Sequence, residues 1–180
     1  MSHARRASAC VPADVEAWLA ELGLAPIERV DREAATSWDL VLGGRRRAAL
    51  RVTLILDPSL GLICWAHLAP PISDLFRKSY RKLLRWNDEL PFVKFSLGED
   101  DRPLLIVELP AGTLDRDAVG LALARELAVA DRLHAESLEW LKAGGWPTAT
   151  APVPATGPGP ALLDRYAAEL AELLDGAPPR

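Results

Sequence analysis

The chain has 180 residues, 49% of them hydrophobic and 26% charged, a balance that suits one folded domain with a sizeable core and excludes global disorder. Its 21 basic and 25 acidic side chains leave a formal charge of −4, which disfavours a generally basic nucleic-acid binder. Two cysteines, Cys10 and Cys64, are too few for a disulfide framework, and no apolar run reaches the ~18 residues of a membrane helix, so a cytoplasmic protein with neither signal peptide nor membrane span is expected.

Pro12 suits the first turn of a helix, and Asp14 and Glu16 complement its positive end. Val15, Trp18, Leu19 and Leu22 form its apolar stripe; Gly23 can take the left-handed conformation of a helix C-terminus, and Pro26 prevents resumption. From Trp38 the period changes to two, with Trp38, Leu40 and Leu42 on one face. Gly43-Gly44 suits a tight hairpin turn, and a return strand is expected from Ala48 to Leu56, with Leu50, Val52, Leu54 and Leu56 sharing a face and Arg51 and Thr53 on the other. Asp57-Pro58-Ser59-Leu60-Gly61 is turn chemistry, after which Leu62, Cys64, Ala66 and Leu68 resume the alternation. The result is a three-stranded antiparallel meander, with a further strand, Ile27 to Glu33, preceding it.

After Pro70-Pro71, Ser73 is placed as an N-cap, and Phe76, Tyr80, Leu83, Leu84 and Asn87 follow helical spacing to an end near Trp86. Phe92 to Leu97 and Pro103 to Leu109 alternate around the polar turn Gly98-Glu99-Asp100-Asp101, giving a second hairpin. Thr113 or Asp115 can cap a long helix running toward Lys142, so the expected order is α-β-β-β-α-β-β-α, an α+β fold with an antiparallel sheet. Five prolines and four glycines between Gly144 and Pro160 mark a linker. Beyond it Leu162, Tyr166, Leu170 and Leu173 or Leu174 form the stripe of a short amphipathic helix, too short to stand alone in water. The expected divisions are a flexible start at 1–11, a domain at 12–142, a linker at 143–160, a tail helix at 161–175 and a flexible end at 176–180.

Chemistry-bearing patterns are sparse. His3, His67 and His134 lie far apart without metal-ligand spacing, so no metal site is expected. Gly43-Gly44 with Arg45-Arg46-Arg47 lacks the phosphate-loop pattern and precedes a strand, and no G-x-S-x-G elbow is present. Cys64 on an alternating buried strand reads as a small apolar residue. Arg77, Arg81 and Arg85, flanked by Lys78 and Lys82, form a basic helical stripe that could grip phosphates or an acidic partner, although a solvated helix face is the simpler account. Six tryptophans are more than average usage gives, and such rings serve cores and interfaces alike.

The element order and the run Leu83-Leu84-Arg85-Trp86-Asn87-Asp88-Glu89-Leu90-Pro91-Phe92-Val93-Lys94-Phe95, followed by Leu104 to Pro110 and Leu114-Asp115, resemble the YbjN-like family, a branch of the type III secretion chaperone-like fold. The resemblance covers about Pro12 to Leu141 and implies a commonly dimeric α+β domain that binds segments of other proteins or acts in regulation, with no reaction and no cofactor. The linker and tail helix fall outside it. The function expected is thus a non-catalytic module for a protein or peptide client, forming a homodimer, with Trp65, Trp86 and Phe92 and the arginines Arg77, Arg81 and Arg85 as contact residues. The alternative is regulatory binding of nucleic acid or an acidic partner through helix 73–87. Leu162, Tyr166, Leu170 and Leu173 would dock the tail on the domain's own apolar surface, on a dimer partner, or in competition with a client.

Overall fold

The computed structural model describes residues 10–46, 49–68, 77–99, 101–140 and 158–171, with the main chain alone at 77–79 and 137–140. The elements are α1 (Pro12–Glu21), β1 (Glu28–Asp31), β2 (Thr36–Leu42), β3 (Leu50–Asp57), β4 (Gly61–His67), α2 (Arg77–Glu89), β5 (Lys94–Leu97), β6 (Pro103–Pro110), a 3-10 turn (Ala111–Thr113), α3 (Arg116–Trp140) and α4 (Gly159–Arg165). The fold is α+β, with one antiparallel six-stranded sheet in the order β1-β2-β3-β4-β6-β5. The meander and the second hairpin join where β4 pairs with β6.

Local chemistry accounts for the ends of these elements. The Asp14 carboxylate accepts the Val11 N–H at 3.0 Å, and Asp115 accepts the Ala118 N–H at 2.7 Å, so Asp115 is the cap of α3. Gly23 at φ +73° closes α1, with Leu24 N–H donating to the Leu19 carbonyl at 2.8 Å. Asp57 Oδ1 gathers the backbone N–H groups of Ser59 and Leu60 at 2.7 and 3.1 Å, fixing the β3–β4 turn.

Four expectations need correction. Leu42 pairs directly with Leu50, where β3 begins, so residues 43–49 separate the paired ends and Gly43-Gly44 is not a two-residue turn between them; Ala48, the expected start of the return strand, lies outside the described residues. Gly43 and Gly44 do not have positive φ; a Cβ on Gly44 would stand 2.2 Å from Asp131 Oδ1. That carboxylate accepts the N–H groups of Arg45 and Arg46 at 2.6 and 3.1 Å, which draws the connection against α3. Helix α2 runs to Glu89, past Trp86, because Pro91 restricts only Leu90, whose N–H still reaches the Trp86 carbonyl at 2.8 Å. Its expected cap, Ser73, lies outside the described residues. Phe92 has φ +65°, so β5 begins only at Lys94. Finally, α4 begins at Gly159 and leaves helical geometry at Tyr166 (φ −108°), with turns carrying the chain on to Leu170.

The core lies between one sheet face and the helices. Leu40, Val52, Leu54, Cys64, Ala66, Leu105 and Val107 meet Val15, Leu19, Val119, Leu123 and Leu127 there. Leu162, Leu163, Tyr166 and Leu170 join the same cluster, so the tail segment packs in cis against α3. Leu173 lies outside the described residues.

Candidate functional site

Pairing between strands sets the opposite face of the sheet in rows. One runs Glu28, Asp39, Thr53, Trp65, Ile106, Lys94; beside it run Val41, Arg51, His67, Leu104, Ser96 and, on the other side, Val30, Ser37, Ile55, Ile63, Glu108. The rows separate two chemistries. Toward β1 the face is polar, and toward β6 it carries an apolar band of Ile55, Ile63, Trp65, Leu104 and Ile106. None of these five belongs to the core cluster, although Leu104 is buried and the others are half-buried.

The polar part is a cleft of about 470 Å³, walled by Glu28, Val30 and Arg32, by Ser37 and Asp39, by Arg51 and Thr53, and by His67 and Arg102. Its floor is a hydrogen-bonded chain. Thr53 Oγ1 lies 2.5 Å from Asp39 Oδ1 and 3.2 Å from His67 Nε2, while Arg51 forms an ion pair with Asp39. Burial works against the Asp39 carboxylate, but hydrogen bonds from Thr53 and Arg51, and then the charges of Arg51 and His67, outweigh it and hold its pKa below the usual value. Asp39 is therefore ionised and acceptor-only. The one hydroxyl proton of Thr53 goes to it, so Thr53 accepts from His67, and Nε2 is the protonated ring nitrogen. A hydroxyl bonded this way does not give its proton to the imidazole, and the depressed Asp39 is a weak base. The arrangement orients donors more readily than it activates a nucleophile.

The contact residues expected from sequence are dispersed. Trp65 stands on the open face, in register with Thr53 and Ile106. Trp86 is wholly buried on the core side, its ring 5.8 Å from that of Phe95, with Lys82 and Arg132 at 5.4 and 5.2 Å from its centroid. It is a core residue, unavailable to a partner. Phe92 is 68% exposed and lies beneath the Arg125 guanidinium at 4.3 Å. Arg81 and Arg85 are exposed, whereas Lys82 pairs with Glu136 at 3.4 Å, and the Arg77 side chain lies outside the described residues. Of the expected basic stripe, Arg81 and Arg85 are thus the exposed members among the described side chains. Asp39, Thr53, Arg51 and His67 were not expected to act together; alternation places each on the open side, but only the register across three strands gathers them.

Among the described residues, no group of three or more His, Cys, Asp or Glu could hold a metal ion, and no helix is long and apolar enough to cross a membrane. Residues 12–139 match the YbjN family, described as "Putative bacterial sensory transduction regulator". No curated protein matches the chain.

Proposed function

The chain belongs to the YbjN family, and from that premise we propose that it is a non-catalytic regulator that acts by holding a segment of another polypeptide on the open face of its sheet. The observation that carries this reading is the apolar band outside the core, lying directly against a polar cleft. Half-buried aliphatic and aromatic side chains in adjacent rows give a segment apolar area to cover, and the cleft gives it orientation. The alternative through α2 has less support, because Lys82 is engaged with Glu136 and the exposed pair Arg81 and Arg85 is flanked by the 65%-exposed Leu84.

A photo-reactive residue placed at Trp65, and separately at Leu84, tests the reading in cells producing the full chain. Adducts with a defined polypeptide from position 65, lost in an Ile63→Lys/Ile106→Lys variant and reproduced with the purified partner, are the expected outcome. Adducts from position 84 alone would transfer the function to α2.

A further inference from the structure

The sheet has two edges, β1 and β5, and they are finished differently. At β5 the Gly98 N–H donates to the Arg102 carbonyl at 2.9 Å, and alternation back along the strand turns the main-chain groups of Phe95 outward. Asn87 takes both of them, accepting the N–H at 2.6 Å and donating to the carbonyl at 3.1 Å, so α2 closes that edge at Phe95. At β1 the Arg32 N–H donates to the Ala35 carbonyl at 2.8 Å. By the same alternation Arg32, Val30 and Glu28 address β2, and the N–H and C=O groups of Arg29 and Asp31 point away from the sheet. No hydrogen bond among the described residues uses those four groups, and residues 25–34 are all exposed.

Charge on an edge strand ordinarily keeps other strands away. The charges of β1 do not repel their own copy. Glu28-Arg29-Val30-Asp31-Arg32 runs negative, positive, neutral, negative, positive, an order that changes sign when reversed about Val30. Antiparallel pairing of two copies must set outward residues opposite outward residues, so the registers with most overlap are centred on Arg29, Val30 or Asp31. The first sets Arg29 against itself and the third sets Asp31 against itself, and like charges directly opposite destabilise a pair of strands. Centred on Val30, Arg29 and Asp31 each meet the other in the second copy and exchange main-chain hydrogen bonds with it, Val30 meets Val30, and Glu28 faces Arg32. Within one chain Arg29 already pairs with Glu16 and Asp31 at 2.8 and 3.0 Å, so these exposed charges select the register while the main chain supplies the attachment. We propose that β1 is a self-association edge through which two copies of the chain pair antiparallel about Val30, joining two six-stranded sheets into one of twelve strands. The two-fold axis is normal to the sheet, so both open faces lie on one side. The proposal concerns the free edge and does not rest on the reading of the open face.

The test is sedimentation equilibrium of the full chain over a range of concentrations, with Glu28→Arg, Arg32→Glu and the double exchange Glu28→Arg/Arg32→Glu. A monomer–dimer equilibrium is expected. Each single reversal sets two like-charge pairs across the junction and should weaken the dimer about tenfold; the double exchange restores opposite charges and should recover it, while all four proteins melt alike. Directly opposed residues of the widely spaced kind have Cα atoms about 4.5 Å apart, within the reach of a disulfide. Val30→Cys in a Cys10→Ser background should therefore cross-link in pairs under mild oxidation, faster than Leu60→Cys in the same background, although Leu60 is the more exposed position. A monomer at every concentration overturns the proposal. A dimer that keeps its affinity in both single variants overturns it too, because the interface then lies elsewhere. A loss that the double exchange does not recover, or cross-linking no faster at position 30 than at position 60, rejects the pairing about Val30.

Discussion

Glu126 lies on α3 with both carboxyl oxygens buried and without a hydrogen-bond partner among the described residues. Burial pushes its pKa well above the ordinary carboxylic value, and burial first, with Glu126 second, pushes up the Cys64 thiol. A lone buried acid stays protonated to avoid the cost of desolvating its charge. In the unfolded chain it ionises above about pH 4.3, so over the window from there up to the raised folded value the native state holds the extra proton. Stability should therefore fall with rising pH, by up to about 1.4 kcal/mol per unit from this group. Glu126→Gln removes the titration: relative to wild type it should gain ground between pH 5 and pH 8 in urea unfolding. A constant difference across that range would reject the assignment. Asn87 is the reverse case, a polar side chain bonded at both its amide nitrogen and its oxygen. Its Nδ2 donates to the Phe95 carbonyl at 3.1 Å, and its Oδ1 accepts the Phe95 N–H at 2.6 Å, so one side chain tethers the end of α2 to β5. Asn87→Asp keeps the acceptor but sets a carboxylate oxygen against that carbonyl. A loss of about 1–3 kcal/mol is expected, measured by the same unfolding curves.

At the scale of elements, the tail segment is fixed by glycines. A Cβ on Gly159 would stand 1.8 Å from the Gly43 carbonyl oxygen, and one on Gly120 would stand 2.2 Å from the Tyr166 hydroxyl. Tyr166 Oη donates to Asp117 at 3.2 Å, Arg45 pairs with Asp164, and Arg165 approaches Asp117 at 3.7 Å. Gly120→Ala is therefore expected to destabilise, even though alanine gains about 1 kcal/mol of helix propensity in a free helix. Hydrogen exchange should then accelerate across 158–171 more than across the sheet; slower exchange in the tail would refute this packing. Truncation after Gly145 removes four buried side chains worth about 1.5–3 kcal/mol each, a large part of a domain's stability, and should lower the melting temperature markedly. These glycines also show where reading from sequence stops. Alternation located β2, β3, β4 and β6, and Gly23 marked the end of α1, because those signals are local. The reason for Gly44, Gly120 and Gly159 is the approach of Asp131, Tyr166 and the Gly43 carbonyl from far along the chain, so the local pattern suggested a hairpin turn and a helix defect instead. The candidate site was legible in the same partial way. Trp65 stood out by type and Arg51 and Thr53 by alternation, but the meeting of Asp39, Thr53 and His67 depends on register.

For the whole molecule, the sheet divides stability from recognition. Its covered face is continuous with α1, α3 and the tail in one core, whereas the band of Ile55, Ile63, Trp65, Leu104 and Ile106 lies outside that cluster. Substitutions on the two faces should then fail in different ways. Leu54→Ala and Leu123→Ala remove wholly buried side chains and are expected to cost about 2–5 kcal/mol each, with binding lost only insofar as the chain unfolds. Ile63→Thr and Ile106→Thr, at half-buried positions, should cost less than about 1.5 kcal/mol and leave unfolding cooperative, yet abolish photo-adducts formed from position 65. The two isoleucines, one row apart on paired strands, should not combine additively in binding. Equal destabilisation from both faces would mean that the band is a second core. Stability nearly unchanged with adducts lost would make the open face a surface whose apolar side chains are kept for another polypeptide.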